Sequence, residues 1–387
     1  MTWSRRAASL RPHGVDLRNP RGHDPRRSVA LRVAALLFGA ALHAGCARSE
    51  PTLGGPAPAD GDAGEEQPLP GPLPGWEVPF DGITCRHPAV QADCRDGFCR
   101  IPAGCFIKGS PLEETGHPAK IENQRAVTLT HDFWVGQHEV TQEQWSARGL
   151  HDPSMAFPAQ PGGDCTDDPR CPVGSVTWFE ALAFANLLSK AHEPPLPACY
   201  ELSGCSGEIG HGMTCASVSL TAPTIYDCTG YRLPTAAEYE YAVRAGTREA
   251  FYFGPSTTGI PTGASGCDLW PPLAEIAWYC ANSGDFTHPV GQKRPNAWHL
   301  YDMVGNAREW VNDEAHGQAP PPGPLTDPGG QIVIYVDRQT RGGSAIGWPT
   351  LLRSASSLGS SWDFIVSTHG FRLARTLPHE ASGSTGP

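Results

Sequence analysis

Apolar residues recur along this chain in brief runs rather than in long helical stripes. Ile101, Phe106 and Ile107 lie in Arg100-Ile-Pro-Ala-Gly-Cys-Phe-Ile-Lys-Gly-Ser110, an apolar strand pattern closed by glycine and serine. At Val127, Leu129, Phe133 and Val135 apolar and polar positions mostly alternate, the two-residue period of a half-buried strand. Helical spacing is clearest from Trp178, where Leu182, Ala185 and Leu188 follow at intervals of three or four and share one face. Three short helices carry the same start signal. Thr141-Gln-Glu-Gln144 opens one that stops at Gly149, Thr177-Trp-Phe-Glu180 opens a second, and Thr235-Ala-Ala-Glu238, preceded by Pro234 and ended by Gly246, opens the third. In each, the threonine hydroxyl can accept from the third helical amide while the Glu or Gln reaches back to the cap amide. Long stretches of Gly, Pro, Ser and Asn separate these elements, so the pattern predicts a loop-rich α+β fold with short, capped helices.

Composition fits that picture. The 387 residues are 39% apolar and 18% charged, with 44 Gly and 39 Pro for loops and 11 Trp for an aromatic core. The first 45 residues stand apart: eight arginines precede Val33–Leu42, an apolar run too short to span a bilayer but suited to a signal-peptide core. It ends in Leu42-His-Ala-Gly-Cys46, which looks like a bacterial lipoprotein cleavage site with Cys46 as the lipidated new N-terminus, although His43 stands where an aliphatic residue is usual. Ordinary secretion and, through Arg26-Arg27, a twin-arginine route are the alternatives. Seven prolines between Glu50 and Gly75 read as a tether. The expected organisation is a signal peptide over 1–45, a lipidated Pro/Gly-rich tether over 46–78, a Cys-rich lead-in over 79–98, a main domain over 99–376 with a Cys-rich insertion at 195–228, and a flexible tail over 377–387.

Charge and cysteine narrow the function classes. Removing residues 1–45 takes away eight basic and two acidic residues, leaving 21 basic against 38 acidic and a formal charge of −17. Such a domain repels phosphate backbones and anionic lipid, so no nucleic-acid partner is expected and membrane contact falls to the lipid anchor. Thirteen cysteines minus Cys46 leave twelve, an even number that suits disulfides in an oxidising compartment. Cys165 and Cys171 bracket one loop and Cys267 and Cys280 another. Cys199, Cys205, Cys215 and Cys228 share the insertion, and Cys85, Cys94, Cys99 and Cys105 precede or open the main domain. A zinc site is the competing reading, but no pair shows the two-residue spacing of zinc ribbons.

The segment Arg341–Arg375 carries the most specific motifs: Arg341-Gly-Gly-Ser344, Arg353-Ser-Ala355 and Gly370-Phe-Arg372. Together they resemble the C-terminal signature of formylglycine-generating, or sulfatase-modifying-factor, domains. The resemblance extends back to about Arg100 through Glu139-Val-Thr141, Pro172-Val-Gly-Ser-Val-Thr-Trp178, Tyr231-Arg-Leu-Pro-Thr-Ala-Ala-Glu238 and Asn296-Ala-Trp-His-Leu-Tyr-Asp-Met-Val-Gly-Asn-Ala-Arg-Glu-Trp310. It implies a complex variant of the C-type lectin fold, α+β, with a groove built from loops. Family members that oxidise cysteine hold copper on two thiols after the Gly-Gly-Ser turn; the matching places here are Gly347 and Leu352, neither of which offers the soft sulfur that monovalent copper requires. No copper and no catalytic residue are expected. The resemblance also implies a structural calcium site at Asp302, Glu309 and the carbonyls of Gly305 and Ala307, whereas the same residues read alone make a tight turn with Asn306 satisfying its own loop. A second family calcium site has no clear counterpart, although Asn282 lies in the right region.

Two other enzyme classes find little support. A related iron-dependent class needs two spaced histidines and a carboxylate on a helix, but His131, His138 and Glu139 lie in the strand region at the wrong spacing. No Gly-x-Ser-x-Gly elbow appears for a serine hydrolase. By analogy Ser344, Trp348 and Arg353 rim the groove, with a turn hydroxyl bonding backbone as the plain reading of Ser344. The resulting expectation is an exported module, lipid-anchored at the periplasmic or outer-membrane surface, that binds an envelope protein, a peptide or a glycan without oxidising cysteine. The alternatives are an oxidase acting on a cysteine of a target sulfatase and an accessory subunit of another enzyme.

Overall fold

Pro102 divides the first apolar stretch into two strands, Phe98–Ile101 and Gly104–Lys108, because proline lacks the amide that a continuous ladder needs. The alternating stretch that follows divides in the same way into Arg125–Leu129 and Phe133–Gly136. Asp132 links the two breaks: its Oδ1 accepts from the Ala103 amide (2.7 Å) and its Oδ2 pairs with Arg100 (2.6 Å). The computed structural model describes residues 69–378, apart from 119–120, 157–164, 166–167, 255–259, 261–265, 316–321, 330–331 and 333–335. The signal peptide, Cys46, the tether up to residue 68 and the tail beyond residue 378 lie outside the described residues.

The four strands go to two sheets. One runs in the order Tyr231–Arg232, Ala374–Thr376, Phe133–Gly136, Phe98–Ile101, Cys94–Arg95, all antiparallel, so the last strand of the described residues closes against earlier ones. The other sets Arg125–Leu129 between Gly104–Lys108 and a parallel Leu325–Thr326. A four-stranded sheet carries the C-terminal motifs in the order Leu358–Ser360, Arg338–Arg341, Arg308–Glu314, His369–Gly370, its last pair parallel. Two hairpins complete the strands, Trp76–Phe80 with Ile83–His87 and Tyr200–Ser203 with Ser217–Leu220.

Helices α1 (Gln142–Ser146), α2 (Trp178–Ala191) and α3 (Ala236–Arg244) begin at the three threonines read from the sequence, and each capping box is complete. A one-turn α4 (Pro271–Ala274), with proline at its start, gave no such signal. On α2 the residues Trp178, Leu182 and Ala185 are fully buried, and Leu188 is half-buried at the edge of the core. Trp178 and Trp310 lock α2 to the four-stranded sheet reciprocally: Trp178 Nε1 donates to the Val311 carbonyl and Trp310 Nε1 to the Val176 carbonyl, both at 3.0 Å.

The domain boundary moves. Trp76–Phe80 and Ile83–His87 pack on the body, Trp76 Nε1 donates to the Gly246 carbonyl (2.8 Å), and Cys85 is bonded to Cys105. The main domain therefore includes the lead-in over 79–98 and the end of the segment read as tether, rather than opening at Cys99. Apolar Trp76, Val78, Phe80 and Ile83 cover the cluster around Cys105, Ile107 and Ala126, a contact across sequence that local composition does not reveal. The twelve cysteines pair as Cys85–Cys105, Cys94–Cys99, Cys165–Cys171, Cys199–Cys228, Cys205–Cys215 and Cys267–Cys280.

Candidate functional site

The turn after the strand Arg338–Arg341 requires glycine. Gly342 has φ +85°, and a Cβ there would lie 2.6 Å from the Tyr239 hydroxyl. The turn is stitched to the 302–309 loop: the Gly305 amide donates to the Gly342 carbonyl (2.9 Å) and the Ala345 amide to the Asn306 carbonyl (2.8 Å). Gly305 is equally constrained, with φ +82° and the Trp278 carbonyl where its Cβ would be. Asn306 faces the other way, exchanging side-chain hydrogen bonds with the His288 backbone (2.8 and 3.2 Å).

Gly347 and Leu352 meet at the end of this turn. A Cβ built on Gly347 would lie 2.9 Å from Leu352 Cδ1, and Leu352 is fully buried. The Gly347 amide donates to the Ser344 carbonyl (2.7 Å), and its own carbonyl accepts from the Cys280 amide (3.3 Å), which brings the Cys267–Cys280 disulfide beside it. Trp348 is exposed and lies over Gly266, whose Cβ would sit 3.1 Å from the indole.

The three motif arginines are structural. Arg341 pairs with Glu240 of α3 (2.8 Å), Arg353 with Glu114 (2.7 Å) and Glu122 (2.8 Å), and Arg372 with Glu309 (2.7 Å). Each is at least 98% buried, so each charge is neutralised by an element distant in sequence. Arg353 therefore does not rim a groove. Ser344 is buried as well, which leaves Trp348 as the exposed member of the expected trio.

Three buried carboxylates, Glu139, Asp302 and Glu309, surround the 302–309 loop, and Glu309 is paired with Arg372. Glu309 is held by Arg372 through both oxygens (2.7 Å each) and accepts from the Tyr239 hydroxyl (2.9 Å). Asp302 Oδ2 accepts from the Gly291 amide (2.7 Å), and Glu139 Oε1 from the Ala307 amide (3.2 Å). Asp302 Oδ1 and Glu139 Oε2 are buried without a partner among the described residues. Burial pushes the Asp302 carboxyl up to about 6 against the pull of the Gly291 amide and Arg372. Glu139 also rises, through burial and then through the charges of Asp302 and Glu309.

A further cluster flanks the loop. Arg308 stands opposite His369 in the parallel strand pair, and its amide donates to the Thr368 carbonyl (2.7 Å). Burial and then the Arg308 charge lower the His369 imidazole to about 3, so it is neutral. Phe364 packs against it edge-on, ring centroids 5.6 Å apart. The sequence gives no signal for this cluster: Arg308 sits inside the motif Asn306-Ala-Arg-Glu-Trp310, between two residues that are buried in the fold.

The family model for the Sulfatase-modifying factor enzyme 1-like domain matches residues 87–377. The chain belongs to this family. A chaperone protein LppX from Paenibacillus barcinonensis is 29% identical over 216 residues, covering 51% of this chain and 68% of that protein. The formylglycine-generating enzyme of Streptomyces coelicolor is 27% identical over 305 residues, 74% of this chain and 91% of the relative. Among solved structures, Treponema denticola variable protein 1 superposes with a TM-score of 0.55 at 24% identity, covering 78% of this chain and 98% of that one, a likeness of fold.

Against the sulfatase-modifying-factor frame, Gly347 and Leu352 are neighbours in space, but the contact is hydrocarbon and backbone. These residues do not fit copper. The calcium set fits in part: Asp302 keeps a buried oxygen free, whereas both oxygens of Glu309 are engaged by Arg372 and Tyr239. Asn282 is consumed by its own turn, accepting from the Tyr279 amide (2.8 Å) and donating to the Ala277 carbonyl (3.0 Å). Among the described residues no group of three or more His, Cys, Asp or Glu is poised to hold a metal ion. His131 contacts Thr130 and Asp327, and His138 bonds the Glu139 carbonyl.

Proposed function

We propose that this chain is a sulfatase-modifying-factor domain that binds a peptide or partner protein in the envelope and does not oxidise cysteine. The observation that carries the reading is the contact between Gly347 and Leu352, where an apolar side chain occupies the position that a metal-binding thiol would need. The likeness to a protein named a chaperone supports a holding role. Export on a lipidated Cys46, with the proline-rich segment as tether, rests on the leader sequence, and calcium at Asp302 on the free oxygen that this carboxylate keeps beside the Gly305 turn.

The oxidase alternative has an observation of its own, the 91% coverage of the Streptomyces coelicolor enzyme. Titrating the reduced full-length protein with copper(I) in competition with a chelator, and incubating it with a cysteine-containing sulfatase peptide, separates the two. The expected result is no tight copper site and an unchanged peptide mass. Stoichiometric copper binding together with conversion of the cysteine would sink the binding-module reading.

A further inference from the structure

We propose that Arg308 is an anion-binding residue that receives a carboxylate from an extended peptide ligand; the inference rests on the binding-module reading and names the chemistry of its ligand. Arg341, Arg353 and Arg372 each face a carboxylate. Arg308 differs. It is half-buried, yet its side chain makes no hydrogen bond and no ion pair among the described residues. Its cross-strand neighbour His369 brings no negative charge and leaves Nδ1 buried without a partner. The Arg308 guanidinium is half-exposed and meets no protein acceptor among the described residues, and its planar fork of donors matches a carboxylate in two-point contact.

The surroundings favour a peptide over a free oxyanion. Phe364, packed against His369, is 48% exposed, and its neighbour Ile365 is 37% exposed. The Ala345 amide bonds the Asn306 carbonyl, two residues before Arg308 in the chain, and Ile346, the next residue after Ala345, is 48% exposed. A cation without a protein partner among the described residues, with the exposed Phe364 packed on its cross-strand neighbour His369 and Ile365 next to it, suits an acidic residue followed or preceded by an apolar one in an extended chain. In a protein whose formal charge is −11, this cation gives an incoming carboxylate a local partner that the overall charge does not.

The test uses a peptide array in which every octapeptide appears twice, with Asp and Glu or with Asn and Gln, probed with the labelled full-length protein and with the variants Arg308→Gln and Arg308→Lys. The expected result is that wild type prefers the acidic member of a pair by about tenfold, that Arg308→Gln loses this preference while keeping its melting temperature, and that Arg308→Lys keeps part of it. Because the amide-for-acid exchange is made in the ligand, the comparison holds even where a variant fails to fold. Equal binding of acidic and amide peptides overturns the Arg308 assignment and leaves the binding-module reading standing. Absence of peptide binding overturns both. Inorganic phosphate or acetate displacing nothing, yet binding in an Arg308-dependent way, would mark an oxyanion site and overturn the peptide claim.

Discussion

Leu352 Cδ1 occupies the space beside Gly347, 2.9 Å from where a Cβ on that glycine would stand. The two residues are coupled, and their substitutions should not add. Gly347→Ala forces a contact with Leu352 and with the Ser344 carbonyl, also 2.9 Å away, for an expected loss of about 1–3 kcal/mol. Leu352→Ala empties a fully buried site, for about 2–5 kcal/mol. In the double variant the new methyl enters part of the space that Leu352 leaves, so the combined loss should fall short of the sum by about 0.5–3 kcal/mol. Urea unfolding of the four proteins measures this, and strict additivity would contradict the contact.

Arg353→Ala is expected to act on folding rather than on a binding surface. Arg353 holds Glu114, Glu122 and the Gly116 carbonyl (2.8 Å), and removing it strands two buried carboxylates, for about 3–5 kcal/mol. Trp348→Ala, at an exposed indole, should stay within about 0.5 kcal/mol of wild type. Denaturant midpoints of the two variants test the division; a stable Arg353→Ala protein would return that arginine to the surface.

This division explains how far the sequence was legible. The threonine caps of α1, α2 and α3 were readable because a capping box is local, four residues with their own hydrogen bonds. Even cysteine counts and short spacings pointed to disulfides for the same reason. No local pattern shows that Arg353 is buried, because its partners, Glu114 and Glu122, lie more than two hundred residues upstream. Trp76 joins the fold through Gly246, a contact no window of sequence contains. Arg308 lies inside a motif, and its distinction, the lack of a partner among the described residues, is visible only beside the paired motif arginines Arg341, Arg353 and Arg372.

Glu240 should give the acid limb of stability a definite sign. Burial alone would raise this carboxyl, but Lys108, Arg244 and Arg341 outweigh it and bring it down to about 2. The folded state thus binds the proton less readily than the unfolded chain, so the contribution is present above the ordinary value of 4.5 and is lost as pH falls through about 2. The shift corresponds to about 3 kcal/mol. Asp313 has the opposite sign, because burial pushes it up to about 6 and its protonated form is favoured on folding. The measurement is therefore a difference, wild type minus Glu240→Gln, in unfolding free energy between neutral pH and the acid limb. That difference should shrink as pH falls; a constant gap would show that Glu240 does not titrate with folding.

Asp302 and Glu309 should respond differently to calcium. Asp302 keeps Oδ1 buried and unpartnered, and Glu139 Oε2 is in the same condition, so a cation reaching the loop finds oxygen acceptors that the protein leaves unsatisfied. Glu309 is closed around Arg372 and Tyr239. Binding to the folded state at about a hundredfold above the dissociation constant stabilises by about 2.7 kcal/mol. Calcium should accordingly raise the melting temperature of the wild type, a chelator should reverse the rise, and magnesium, which demands a tighter octahedral shell, should do less. Asp302→Asn should lose most of that increment. Glu309→Gln should lower the melting temperature by a similar amount with or without calcium, because it weakens the buried pair with Arg372 rather than a metal shell. Differential scanning calorimetry in calcium and in chelator decides between these outcomes. Identical melting of the wild type in both would remove calcium from this loop, and a calcium response that survives Asp302→Asn but disappears in Glu309→Gln would reverse the two roles.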